Sequence, residues 1–138
     1  MFEIKFVNNR EVANGYINMN GEMENIDVDL SFWGKDDYVS QWESALDQLV
    51  RGQNKTALIT SLSDLETANF IIVWPMYRVD NIVYIQNQLL FLDDIRDKFS
   101  VEKIYDFISE REPDEEVSEW TVTIEDLQEF LPYIHCSS

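Results

Sequence analysis

The sequence predicts an α+β fold, with a twisted antiparallel sheet of about six to seven strands, a long helix packed on one face and two shorter C-terminal helices. Three observations carry this. The stretch Ala68 to Leu92, ANFIIVWPMYRVDNIVYIQNQLLFL, is the densest concentration of β-branched, aromatic and aliphatic residues in the chain. Apolar residues recur at three-and-four spacing between Asp36 and Arg51, the signature of a helix with one buried stripe. Strict alternation over Ile26 to Phe32 marks a half-buried strand. At 138 residues, with 45% apolar and 13% aromatic side chains, the chain is expected to fold as one domain over 1–138 around one core, without staples.

Taken in order, Phe2, Ile4 and Phe6 alternate with Glu3 and Lys5 and predict a first strand, followed by a turn through Asn8 and Asn9. Asn14-Gly15 and Asn20-Gly21 read as two turns bracketing a short second strand at Tyr16, Ile17 and Met19. In the third, Ile26, Val28, Leu30 and Phe32 face the core, while Asp27, Asp29 and Ser31 face solvent. The helix over Asp36 to Arg51 buries Tyr38, Val39, Trp42, Ala45, Leu46, Leu49 and Val50 and is closed by Gly52. Asp36, Ser40, Glu43 and Asp47 line its opposite face. Thr56 to Thr60 forms a fourth strand.

The central hairpin pairs Phe70 to Arg78 with Ile82 to Leu92 across Val79-Asp80-Asn81, whose residues tolerate positive φ. Pro75, which has no N–H to give to a ladder, is expected at a bulge near a sheet edge. Ser100 is placed to cap a helix carrying Val101, Ile104, Tyr105 and Ile108 inward. A loop around Pro113 follows. Trp120, Val122 and Ile124 alternate as a last strand, and Thr123 caps a final helix on Leu127, Phe130 and Leu131 that stops at Pro132.

The chemistry is defined as much by charge as by motif. There are 27 acidic and 10 basic residues, a formal net charge of -17. Residues 93–129 alone hold 14 acids and 4 bases, more than half of the excess. Such a surface repels nucleic acid and anionic membranes and attracts a basic protein. The solitary histidine, His135, leaves no histidine-based triad or zinc cluster, and the four glycines are scattered at turns and caps, so no phosphate-cradling loop occurs. No cofactor and no metal are expected, and no catalytic residue is assigned. In so acidic a chain, neighbouring carboxylates such as Asp27 with Asp29 and Asp93 with Asp94 arise by chance. The single Cys136 has no partner cysteine, which suits a reducing compartment. Glu3 and Lys5 sit in a strand pattern where a leader would carry a basic stretch and an apolar run, so a cytoplasmic location is expected.

Two surfaces are candidates for binding a basic partner. The first is the loop with Glu110, Glu112, Asp114, Glu115, Glu116 and Glu119, followed by Trp120 as an aromatic anchor. The second gathers Asp27, Asp29, Trp33, Asp36, Glu43 and Asp47 on the third strand and the long helix. The loop is the stronger candidate from charge density, whereas an exposed acidic face on a strand or helix needs no function.

Two segments, EIKFVNNREVANGYINMNGEMENIDVDLSFW near the start and VWPMYRVDNIVYIQNQLLFLD in the hairpin, make the chain resemble the immunity proteins of bacterial contact-dependent growth inhibition systems. Proteins of that kind are small, varied in fold and often acidic, and each binds the C-terminal toxin domain made by its own operon. The resemblance implies stoichiometric inhibition, in place of turnover, of a basic toxin that is often a nuclease; the chain itself is expected to be a monomer. It assigns no residue roles. Two other readings compete: an acidic mimic of nucleic acid that blocks a DNA- or RNA-binding protein, and a hydrolase working through paired carboxylates.

Overall fold

The computed structural model describes residues 1–7, 13–111 and 116–137. The turn expected at Asn8 and Asn9, and the loop residues Glu112 to Glu115, lie outside the described residues.

The class is α+β, and its strands are divided between two antiparallel sheets. The smaller has the order β1 (Phe2–Phe6), β2 (Ala13–Met19) and β3 (Glu22–Val28). In the larger, β4 (Lys55–Ser61), β5 (Phe70–Val79), β6 (Ile82–Gln86) and β8 (Glu119–Thr123) neighbour one another in that order, and β7 (Gln88–Phe91) pairs with β5. Between the sheets in sequence runs α1 (Lys35–Val50), which packs chiefly on β4.

The physical reason for two sheets is what α1 does to β4. Backbone groups along the outer edge of β4 are paired by side chains of α1 instead of by another strand. The Gln41 amide donates to the Ala57 carbonyl at 2.8 Å and accepts from the Ile59 N–H at 2.8 Å, as a neighbouring strand would. The Trp42 indole donates to the Ile59 carbonyl at 2.8 Å, and the Tyr38 hydroxyl accepts from the Leu62 N–H at 2.9 Å. An edge strand so covered is closed to further pairing. On its other side the Trp42 ring stacks on Phe6 of β1 at 5.2 Å, so one residue bridges both sheets. The expected apolar stripe of α1 is buried, with Val50 half-buried and Gln41 added to it.

The ends of α1 follow from local chemistry. The Asp37 carboxylate accepts from the Gly34 N–H at 2.9 Å in the first turn. At the other end Gly52, at φ +116°, allows the Gly52 N–H to reach Leu49 O at 3.1 Å and the Gln53 N–H to reach Gln48 O at 3.0 Å. Arg78 of β5 donates to the carbonyls of Leu49 at 2.5 Å and Val50 at 3.3 Å, a cation set against the negative end of the helix dipole.

Several boundaries differ from the sequence reading. β2 runs straight through Asn14-Gly15, which form no turn: Gly15 pairs with Phe6 and Ile26, and a Cβ there would lie 2.2 Å from the Lys5 carbonyl oxygen. Asn20-Gly21 is the turn, with φ of +56° and +91°. The third strand ends at Val28, so Leu30 and Phe32 leave the sheet, and Phe32 is 49% exposed.

Pro75 lies in an interior strand, away from any edge, and causes no bulge. The register of β5 against β6 and β7 is unchanged across it, while the paired ladder is interrupted at Trp74 and Pro75, which divides the expected single strand Ile82 to Leu92 into β6 and β7. The register shift lies instead on β4, between Ile59 and Ser61.

Near the C-terminus, Val101–Phe107 is a 3-10 helix kinked at Lys103, and Ser100 gives it no side-chain cap. By contrast Thr123 does cap α2 (Ile124–Phe130), accepting from the Asp126 N–H at 3.2 Å while Asp126 accepts from the Thr123 N–H at 2.8 Å. The chain does not stop being helical at Pro132 but continues as a 3-10 segment, Leu131–Ser137. Phe2, Trp42, Leu58, Trp74, Val122 and Leu127 belong to one continuous core shared by both sheets and the helices.

Candidate functional site

The acidic loop is anchored at both ends. On one side Lys55 donates to the Ile108 carbonyl at 2.9 Å and pairs with Glu110 at 3.1 Å, leaving the Glu110 side chain 89% exposed. On the other, Arg111 grips Glu119 through two nitrogens at 2.9 and 2.7 Å, while Gln86 donates to the same carboxylate at 2.9 Å. The Arg111 guanidinium also lies 3.7 Å from the centre of the Tyr84 ring. Arg111 therefore holds the Glu119 carboxyl below its ordinary range, with the Gln86 amide acting in the same direction.

Of the residues proposed for this surface, Glu110 thus pairs with Lys55 at the exposed rim, and two more are used internally. Glu119 is neutralised by Arg111. Trp120 is half-buried, with its ring 5.5 Å from Trp74, whose indole donates to the Thr60 hydroxyl at 3.2 Å. Glu116 is exposed, whereas Glu112, Asp114 and Glu115 lie outside the described residues.

The second surface is only partly assembled. Asp27 is exposed on β3 opposite Asn14, and Asp29 lies past the strand, where its carboxylate accepts from the Ser31 N–H at 2.8 Å. Trp33 packs edge-on against Tyr38 at 5.1 Å and is half-buried. The Tyr38 hydroxyl, pushed up to about 12 chiefly by burial, stays protonated and donates to the Asp29 carbonyl at 2.5 Å.

Asp36, Glu43 and Asp47 do share the outer part of α1. Glu43 is 3.0 Å from His135, and Asp47 is 2.8 Å from Arg51 one turn on. Beside them the structure shows two clefts that the sequence pattern did not reveal. One, about 280 Å³, opens between α1 and the 3-10 helix Val101–Phe107, with Trp33, Asp37, Gln48 and Glu102 in its walls. The other, about 500 Å³, opens between α1 and the C-terminal segment, with Glu43, Asp47, Gln128 and Pro132 in its walls. Ser40 and Ser44 line both. Their i, i+4 spacing on an acidic helix face was the available signal, because small side chains there leave the ridge low.

Among the described residues no three of His, Cys, Asp and Glu gather as a metal centre, and no helix is long and apolar enough to cross a membrane.

Two sheets locked to one helix, with carboxylate-walled clefts at the surface, define a small acidic α+β protein. Comparison with known proteins makes the class specific. Residues 28–130 match the family described as the CdiI N-terminal domain. The immunity protein CdiI of Enterobacter cloacae subsp. cloacae is 32% identical over 121 residues, covering 85% of this chain and 81% of that protein. A chain of the solved CdiA-CT/CdiI toxin and immunity complex from Enterobacter cloacae is similar over 99% of both chains, with a TM-score of 0.87 and 29% identity. The chain belongs to the CdiI family, the immunity proteins of bacterial contact-dependent growth inhibition systems.

Proposed function

We propose that this chain neutralises the toxin domain made by its own operon by binding it stoichiometrically as a monomer in the cytoplasm, without turnover, and that the toxin is a nuclease presenting a basic surface. The observation that carries the reading is the coincidence of family membership with an acid excess of 27 to 10. A nuclease domain needs cationic surface to hold a polyanion, and an acidic inhibitor is complementary to it.

Of the two candidate surfaces, the α1 face with Asp36, Glu43 and Asp47 is the better supported. Glu119 and Trp120 are part-buried against Arg111 and Trp74, and uncovering them would first break those contacts, whereas the pairs of Glu43 with His135 and Asp47 with Arg51 lie exposed and can be exchanged for a partner's cation. The loop carboxylates Glu110 and Glu116 form a second, outer candidate.

The test is titration of the purified toxin domain from the adjacent gene with this chain. A complex of one copy of each, with toxin activity extinguished at equivalence, is the expected outcome. Inhibition at a small fraction of equivalence would overturn stoichiometric binding and favour a catalytic action. A toxin that degrades no nucleic acid would remove the nuclease part of the proposal alone.

A further inference from the structure

We propose that the two clefts flanking the Ser40 and Ser44 ridge are the sockets in which basic side chains of the toxin seat. This inference rests on the reading of the chain as a toxin-binding protein and adds where and how the partner is gripped.

Each cleft has the chemistry of a cation socket. The linings of the two together include four carboxylates, Asp37, Glu43, Asp47 and Glu102, and neither includes a lysine or arginine; the pairs of Asp47 with Arg51 and Glu43 with His135 are exposed at the rim of the second cleft, where an incoming cation exchanges with them. An arginine suits the first cleft, where Trp33 supplies an aromatic wall for a planar guanidinium and Glu102 a carboxylate at the mouth. Backbone hydrogen bonding, helped by the Ser100 hydroxyl that donates at 3.0 Å, holds the Glu102 carboxyl below its ordinary range, so it is charged when a cation arrives. The second cleft is wider and more open to water, with Glu43 and Asp47 on the α1 side and the Gln128 amide opposite. It suits a lysine or an arginine carried on a longer segment.

The ridge matters as much as the sockets. Ser40 and Ser44 are exposed and small, so a partner backbone can lie across α1 and send one side chain to each side. A second copy of this acidic chain would bring carboxylates to carboxylates, which singles out a basic partner as the occupant.

The experiment measures binding of the full chain to its cognate toxin domain by calorimetry and by association and dissociation kinetics. Ser44→Lys places a cation on the ridge between the clefts, and Glu43→Gln with Glu102→Gln removes one carboxylate from each. Both are changes on partly or fully exposed positions, and thermal melting checks that the fold is retained. Each is expected to weaken binding at least tenfold, mainly through faster dissociation, while Glu110→Ser with Glu116→Ser changes it less than twofold. If wild type binds and both cleft variants bind within threefold of it, the sockets are not used and this inference fails, although the proposed function stands. If wild type itself does not bind the toxin, the proposed function fails and takes the inference with it.

Discussion

At the scale of single residues, Gln41 shows what a helical pattern can and cannot convey. The stripe Tyr38, Val39, Trp42, Ala45, Leu46 and Leu49 is legible because apolar spacing reports a buried face directly. A glutamine beside that stripe reads as solvent-facing, and only the position of β4 shows that its amide replaces a strand. Gly15 was misread for a related reason, since Asn-Gly signals a turn and the close approach of Lys5 is a tertiary fact. Gln41→Leu keeps the volume but leaves the Ala57 carbonyl and Ile59 N–H buried without their partner. The expected cost is on the order of 3 kcal/mol of unfolding free energy, because each orphaned buried group costs about 1 to 3 kcal/mol. Urea unfolding decides it, and a loss below about 1 kcal/mol would mean that water replaces the amide at the β4 edge.

Among elements, strands with clean alternation and the long helix were legible, and those governed by context were not. The Ser100 segment has helical spacing, yet it folds as a kinked 3-10 helix over β4. Pro75 rightly predicted a ladder defect but not its form, because the register is held on both sides of it by the rest of the hairpin. The acidic run read as the stronger binding candidate, since counting charges does not reveal which of them meet. In fact Arg111 and Glu119 close the loop, and this pair gives the hairpin-to-β8 edge its own pH dependence. Glu119 is depressed below its ordinary value of 4.5 in the folded chain, principally by Arg111. A depressed folded pKa contributes stability above the unfolded value, and that contribution is lost as pH falls through the folded one. Unfolding free energy should therefore drop as pH falls below the ordinary value of 4.5 and through the lower folded one, and Glu119→Gln should flatten that drop while lowering stability at neutral pH. Equal pH slopes for the variant and wild type would show that the pair carries none of it.

For the whole molecule, composition and the two quoted segments pointed to the immunity class that the family match establishes. The division into two sheets was not legible, because it depends on a helix occupying the place where a strand would pair. Charge is the property that acts at this largest scale. A net charge of -17 sets up a field that no single side chain owns, and among the described cations Arg51, Arg96 and Arg111 are already engaged with carboxylates. Such a field should steer a basic toxin toward this surface before any contact forms, with an association rate constant approaching about 10⁸ to 10⁹ M⁻¹s⁻¹ at low salt. Added salt shortens the Debye length from about 30 Å at 0.01 M to about 8 Å at 0.15 M, so that constant should fall steeply over this range. Dissociation, governed by short-range contacts already formed, should change far less. Stopped-flow mixing across a salt series separates the two. An association rate indifferent to ionic strength would show that the acid excess serves solubility alone and that recognition rests wholly on the shape of the interface.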